Sequence, residues 1–200
     1  MQSELEKSHQ LVRNYPNHPR VYIRRGMEYF KLAKITEAIQ DFDRAEKIDP
    51  SITPYLWQRG LAYYYAERFA DGAKQFELDL KVNSNDIEET VWRYLCLARL
   101  QGVSEAQNCL LAMREEPRLV LRSVYNFYAG NCTEDAVLMA GKKQARTGIF
   151  YSYLYLGLYY EVAGDAARAQ AYLVPAVDNY QINDYMWNVA WVHRTLRGWN

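Results

Sequence analysis

Apolar and small residues recur along the chain at the spacing of amphipathic helices. Within residues 19–52, Gly26 and Tyr29 fall on one helical stripe, and Ala38 and Phe42 fall on a second. Stripes of this kind, with contacts three or four residues apart, predict two helices that each have one face to bury. No strand-like alternation of apolar and polar residues competes with them. The pattern therefore predicts an all-α protein built of helical hairpins.

The same pattern returns after 34 residues. Five pairs of identical residues stand at this spacing: Pro16 and Pro50, Arg25 and Arg59, Gly26 and Gly60, Tyr29 and Tyr63, and Phe42 and Phe76. Two helices of about a dozen residues with their turns fill such a unit, and neither stripe can be buried within one hairpin. Successive hairpins must therefore stack on each other.

The repeated unit resembles a tetratricopeptide repeat. In the segment PRVYIRRGMEYFKLAKITEAIQDFDRAEKIDP, unit positions 8, 11, 20, 24 and 32 of that pattern are occupied by Gly26, Tyr29, Ala38, Phe42 and Pro50. The resemblance implies a right-handed α-solenoid, a superhelix of about four and a half hairpins followed by a C-terminal helix. We expect small residues at positions 8 and 20 to let the paired helices approach closely.

The repeat frame divides the chain, taken as a single domain over residues 1–200, into consecutive units. These are a half repeat at 1–18, repeats at 19–52, 53–86 and 87–120, a short degenerate unit at 121–149, a repeat at 150–183 and a C-terminal helix at 184–197. The third repeat departs from the pattern because Tyr94 stands where a small residue belongs.

A narrower resemblance lies in three segments, LWQRGLAYYYAERFADGAKQFELDLKVNSNDIEETVWRYL, FYAGNCTEDAVLMA and IFYSYLYLGLYYEVAGDAARAQAYLVPAV. Over residues 19–179 the chain is similar to the bacterial NlpI lipoprotein family. Members of that family are scaffolds without catalytic activity, often homodimeric, that dock peptidoglycan hydrolases and a protease at the envelope. Since the sequence shows neither a signal sequence nor a lipid-attachment cysteine, we expect a cytoplasmic location. Association with an organelle or envelope through a partner is the alternative.

Composition and charge argue against several classes of function. Lys plus Arg and Asp plus Glu number 24 each, so no net field attracts nucleic acid or an anionic membrane surface. No apolar run is long enough to form a transmembrane segment. The three cysteines stand at no metal-like spacing and indicate reduced, buried thiols.

The sequence has no residue pattern typical of catalysis. His9, His18 and His193 lie far apart and form no zinc or nucleophile motif. The glycines stand singly, so no phosphate-binding loop is predicted. Glu88 and Glu89 stand at a helix start, where their charge complements the helix end. We therefore expect no enzyme activity, no cofactor and no metal site.

The resemblance places the first helix of each hairpin on a concave face, lined by unit positions 2, 5, 6, 9, 12 and 13. The residues expected to form this groove are mainly aromatic and apolar: Arg24, Met27, Phe30, Trp57, Leu61, Tyr64, Tyr65, Trp92, Tyr151 and Tyr155. Rigid rings offer contact area at low entropy cost. We expect the groove to bind a protein partner, as an extended peptide or an amphipathic helix. Packing of these rings in the core is the alternative.

The C-terminal helix carries two tryptophans away from its expected packing stripe. That stripe consists of Tyr185, Val189, Val192 and Leu196. Trp187 and Trp191 lie on roughly the opposite side, and an apolar outer face predicts a homodimer or contact with a partner. Burial of both faces within one chain, with the helix lying in the groove, is the alternative.

These features together predict a non-enzymatic scaffold or adaptor whose partners are proteins. A structural subunit built permanently into a larger multiprotein complex is the alternative function. The two differ in behaviour, because an obligate subunit aggregates without its partner whereas an adaptor stays monodisperse alone.

Overall fold

A computed structural model describes residues 2–113 and 116–199, and within those residues every regular element is a helix. The predicted all-α fold class is therefore confirmed. The chain divides into two compact units, Met1–Ser84 and Asn85–Asn200. The division falls close to the predicted boundary between the second and third repeats, at 86/87.

The first unit contains two complete helical hairpins preceded by one helix. Its elements are α1 Gln2–Asn14, α2 Pro19–Lys31, α3 Ile35–Ile48, a short 3-10 helix Pro50–Tyr55, α4 Trp57–Tyr65 and α5 Phe69–Val82. Helix α1 packs on α2, and α2 pairs with α3 as α4 pairs with α5. Each of the predicted repeats 19–52 and 53–86 thus contains one hairpin, and the predicted half repeat 1–18 contains α1.

The second unit begins less regularly than the first. Its helices are α6 Ile87–Gln101, α7 Val103–Asn108, α8 Leu119–Tyr128, α9 Glu134–Lys143, α10 Ala145–Val162, α11 Ala166–Asp178 and α12 Tyr185–Arg197. The second helix of the predicted repeat 87–120, α7, is only 6 residues long. Helix α10 begins at Ala145, before the predicted start of the last repeat at 150.

The hairpin with the short α7 is also the one that departs from the repeat pattern at Tyr94. This side chain is 1% exposed, and its ring centroid lies 4.9 Å from that of Tyr128 in α8. In the regular hairpins the corresponding residue is glycine, which admits the second helix. The ring of Tyr94 packs on the first helix of the next pair, and the second helix of its own hairpin ends at Asn108.

Glycine at unit position 8 sets the distance between the helices of each regular hairpin. A Cβ atom added to Gly26 would lie 2.8 Å from the Phe42 ring, and one added to Gly60 would lie 2.6 Å from the Phe76 ring. At Gly157 the nearest atom is Cγ of Leu173, at 2.5 Å. These contacts confirm the expected close approach at position 8, and they identify position 24 as the facing residue.

In each of the first three hairpins, an arginine in the first helix hydrogen-bonds a residue in or next to the second helix. Arg25 donates two hydrogen bonds of 2.7 Å to the Asp41 carboxylate. Arg59 donates to Gln75 Oε1 at 3.0 Å, and Arg93 donates to the Cys109 carbonyl oxygen at 2.9 Å. Each partner lies 16 residues after its arginine, so the 34-residue repeat carries a polar clamp beside its glycine contact.

The turn inside each regular hairpin uses a left-handed residue at unit position 15. The φ angles are 56° at Ala33, 58° at Glu67 and 84° at Gly164. Two of these three positions therefore hold a residue with a Cβ in a conformation that favours glycine.

Candidate partner-binding surfaces

In the first unit, the first helices of the two hairpins lie side by side. Gln58 Nε2 donates to Met27 Sδ at 3.8 Å, and the rings of Phe30 and Tyr65 meet edge to face with centroids 5.7 Å apart. Helices α2 and α4 therefore share one face, as the predicted groove requires of neighbouring first helices.

Only part of the predicted lining on this face reaches solvent. Arg24 is exposed, whereas Met27 and Trp57 are half-buried. Arg24 lies 3.6 Å from Glu4 on the preceding helix in an exposed ion pair, which contributes little to stability. These three side chains are the accessible members of the predicted set in the first unit.

The remaining predicted residues of the first unit form a packed layer. Phe30, Leu61, Tyr64 and Tyr65 are buried. The Tyr64 ring lies edge to face with Tyr65 at 5.4 Å and with Phe69 at 5.5 Å. The expectation that these four line an open groove is corrected here, because adjacent first helices pack their rings against each other.

The predicted groove residues of the second unit are also buried. Trp92 is 2% exposed, and Tyr151 and Tyr155 are buried in α10. The expectation that these three residues line an open groove is therefore also corrected. Instead of facing solvent, Tyr155 donates a hydrogen bond of 2.9 Å from its hydroxyl to Glu88 Oε1.

A polar network forms around Glu88 at the start of α6. Arg118 Nη1 donates to Glu88 Oε2 at 3.0 Å and also binds the buried Glu116 carboxylate at 2.8 Å. Burial raises the pKa of Glu88, and burial likewise raises the pKa of Tyr155 well above its usual value. Glu88 and Tyr155 are 67 residues apart in the sequence but in contact in the structure. No local sequence signal predicts this contact.

The interpretation of Glu88 as a helix-start charge is thus incomplete. The cap of α6 is Asp86, whose Oδ1 accepts from the backbone N–H groups of Glu88 and Glu89. That geometry confirms the helix start. The side chain of Glu88 has the further role of joining α6 to Arg118 and Tyr155.

Helix α12 begins after Asp184, which caps it by accepting from the Met186 N–H at 2.8 Å, and it ends before Gly198 at φ 67°. The buried residues are Met186, Val189, Ala190, Val192 and His193. Val189 and Val192 of the predicted stripe are confirmed as packing residues, but Leu196 is 39% exposed. The stripe is rotated because His193 turns inward toward Glu161 of α10, with Nε2 and Oε1 3.3 Å apart.

Helix α12 lies beside α10 in the register of a further repeat. Asp184, the cap of α12, hydrogen-bonds the Tyr151 hydroxyl in the first half of α10, and Arg197 binds Glu161 near the ends of both helices. These partners are separated by 33 and 36 residues, close to the repeat length. Helix α12 thus takes the place of the first helix of another hairpin.

This register explains where the two C-terminal tryptophans lie. Trp187 and Trp191 stand one repeat after Tyr153 and Gly157, which pack against Tyr172 and Leu173 in the second helix α11. Both tryptophans are half-buried, and the Trp187 indole N–H donates to the Val177 carbonyl at 3.2 Å. Part of each ring is therefore packed within the chain and part reaches solvent.

The residues that the structure describes offer few groups suited to metal binding or thiol chemistry. No group of three or more His, Cys, Asp or Glu side chains in that part of the chain could hold a metal ion. Cys96 is buried as expected, whereas Cys109 and Cys132 are only half-buried, which corrects the expectation of three buried thiols. Burial raises the pKa of the Cys96 thiol, and partial burial raises that of Cys132. Among these same residues, no helix combines the length and apolar character needed to cross a bilayer.

The architecture defines a repeat protein of helical hairpins, and two comparisons specify the repeat. Residues 19–52 match the family model of the tetratricopeptide repeat. The chain is also similar to Protein SGT1 homolog from Bos taurus, with 24% identity over 107 residues. That match covers 54% of this chain and 30% of the relative.

The comparisons identify a tetratricopeptide repeat at residues 19–52. Repeats of this family generally mediate protein–protein interaction and scaffolding and are typically non-enzymatic. The narrower similarity to the NlpI family is tested by neither comparison and stays a prediction.

Proposed function

We propose that the chain is a non-enzymatic scaffold that binds a protein segment on the face shared by α2 and α4. The observation that carries the proposal is the contact of α2 with α4 at Met27 and Gln58. It brings the helix that holds the half-buried Met27 and the exposed Arg24 beside the helix that holds the half-buried Trp57. The buried rings of Phe30 and Tyr65 support that face from within. A cytoplasmic location remains part of this proposal.

The surface has the properties of a small binding site for an extended peptide or an amphipathic helix. A tryptophan held on a helix supplies contact area with few rotatable bonds, and a nearby arginine favours an acidic flank on the partner. The packed rings below keep the two helices at a fixed separation, which lowers the entropy cost of binding.

Affinity capture with Trp57→Ala and a matched control tests the proposal. Tyr55→Ala is the control, because Tyr55 is also aromatic, lies two residues away and is 63% exposed. Partners recovered with the wild type should be lost with Trp57→Ala and kept with Tyr55→Ala. For a purified partner segment, calorimetry should show a loss of about 2 kcal/mol, as for a hot-spot ring.

Two results would contradict the proposal. One is retention of every partner by Trp57→Ala. The other is loss of helicity in Trp57→Ala by circular dichroism, which would place Trp57 in the core. Aggregation of the wild-type chain alone would favour the permanent-subunit alternative instead.

A second candidate is self-association through α12, and the partial exposure of its two tryptophans favours it. In the preceding hairpin the residues equivalent to Trp187 and Trp191 pack against a second helix, whereas Trp187 and Trp191 themselves are only half-buried. A second copy of the chain can cover such a face. Sedimentation velocity should then show a dimer that Trp191→Ala converts to a folded monomer. A wild type that is monomeric throughout the micromolar range would refute the dimer.

A further inference from the structure

A cleft of about 410 Å³ opens where the chain enters α12. Its walls are formed by Gln181, Ile182, Asn183, Asp184, Trp187 and Asn188. This volume falls within the range of about 300–1,000 Å³ that is usual for ligand sites. Apart from Trp187, none of these residues belongs to the predicted groove or to the predicted tryptophan patch.

The cleft favours a cation. Its six lining residues include one carboxylate, that of the exposed Asp184, and no Lys, Arg or His. One oxygen of that carboxylate accepts the Met186 N–H at 2.8 Å as the helix cap, and the carboxylate also accepts a hydrogen bond from the Tyr151 hydroxyl. The cap carries a full negative charge, against about half a positive charge at a helix N-terminus. The net charge at the cleft is therefore negative.

The apolar part of the wall suits an aliphatic chain. The Trp187 ring is fixed in place because its indole N–H donates to the Val177 carbonyl at 3.2 Å. Ile182 is half-buried in the same cleft. A lysine side chain has an aliphatic stem that packs on such surfaces and an ammonium group that is attracted by both an indole face and a carboxylate.

The other lining groups are carboxamides, which match a peptide main chain. Gln181, Asn183 and Asn188 each contain both a donor and an acceptor, as does every peptide unit. We propose that this cleft binds a lysine side chain of a partner protein, with the flanking main chain on the carboxamides. The proposal uses no residue of α2 or α4, so it shares with the proposed binding face there only the protein nature of the partner. Trp187 also belongs to the face of α12 that is proposed for self-association.

Nuclear magnetic resonance of the full chain provides the test. The probe is the blocked peptide acetyl-Gly-Lys-Gly-amide, compared with its glutamate counterpart and with n-butylammonium. The observed signal is the indole N–H of Trp187, assigned with Trp187→Phe. We expect a saturable shift with the lysine peptide in the millimolar range, no shift with the glutamate peptide, and at least fivefold weaker binding of butylammonium.

Replacing Asp184 by neutral capping residues tests how much its charge contributes to binding. Asparagine also caps helices, so Asp184→Asn keeps the start of α12 and should weaken lysine-peptide binding about fivefold, as expected for one ion pair. Asp184→Ser, another capping residue, should do the same. Asp135→Asn, at an exposed acid in the first turn of α9, is the control and should leave binding unchanged.

The proposal would be overturned by equal binding of the glutamate peptide, by unchanged affinity in both folded Asp184 variants, or by absence of a saturable shift. Binding of butylammonium as tight as that of the peptide would overturn the role of the main chain. Trp57→Ala should leave the shift intact, so failure of the α2–α4 surface and failure of the cleft are distinguishable.

Discussion

Gly60→Ala is a sharp test of how the hairpins pack. The new methyl carbon would lie 2.6 Å from Cζ of Phe76 and 2.9 Å from both of its Cε atoms. The Phe76 ring is 1% exposed, so neighbouring atoms hold it on all sides. Either the ring or the whole of α5 must move to admit one carbon.

Two opposing effects set the size of the change. Overpacking of a close-packed core costs about 1–3 kcal/mol. Replacement of glycine by alanine inside a helix stabilises by about 1 kcal/mol. With a mid-range overpacking cost, we expect Gly60→Ala to lower the free energy of unfolding by about 1 kcal/mol.

Phe76→Leu separates the two effects. Leucine has no atoms in the places of Cζ and the two Cε atoms, so it removes the three contacts that the new methyl would meet. In this background Gly60→Ala should stabilise by about 1 kcal/mol, because the helix-propensity gain remains. The expected coupling between the two substitutions is therefore about 2 kcal/mol.

Urea unfolding of the four proteins, followed by circular dichroism, measures this coupling. The control pairs Gly60→Ala with Phe42→Leu, because Phe42 faces Gly26 in the neighbouring hairpin, and this pair should be additive. A coupling below about 0.5 kcal/mol for Gly60 and Phe76, the usual error of additivity, would refute the close-approach argument.

Further predictions concern a turn, an ion pair and a buried ring. Ala33→Gly should stabilise the first unit by about 0.5–1 kcal/mol in urea unfolding, because Ala33 has φ 56°; destabilisation would contradict a strained turn. Hydrogen bonds from Arg59 lower the pKa of Glu46 from 4.5 to about 2. Wild-type stability should thus fall as pH drops from 4.5 toward 2, and less steeply in Glu46→Gln; equal slopes would contradict this. Trp92→Ala should destabilise by about 3–5 kcal/mol, since the ring is 2% exposed, and unchanged thermal unfolding would disprove its core position.

The regular hairpins could be predicted from the sequence because each depends on contacts within one 34-residue period. The spacing of Gly26 and Gly60 identified the helix faces that meet Phe42 and Phe76. The third hairpin was predicted less well. Tyr94 is recognisable as a departure from the pattern, but neither its packing on Tyr128 in a later helix nor the shortness of α7 is evident from the repeat.

The candidate site was harder to predict than the fold. Unit positions indicate that Phe30 and Tyr65 lie on the first helices, but not that neighbouring first helices approach until these rings touch. That distance is set between repeats, and the period within one repeat does not encode it. The pairing of Tyr155 with Glu88 likewise joins two distant segments, so each appears unremarkable in its own sequence neighbourhood.

Arg59 couples the two hairpins of the first unit to each other. Besides Gln75 in its own hairpin, its guanidinium binds Asp43 at 3.0 Å and Glu46 at 2.8 Å in the preceding one. In a linear array, stability is the sum of a term for each repeat and a term for each junction. The interaction of the buried Arg59 with the preceding hairpin contributes to the junction term, because opening that hairpin removes the carboxylates of Asp43 and Glu46 and leaves the cation without countercharge. The two hairpins should therefore unfold as one cooperative block rather than fray one at a time from the end.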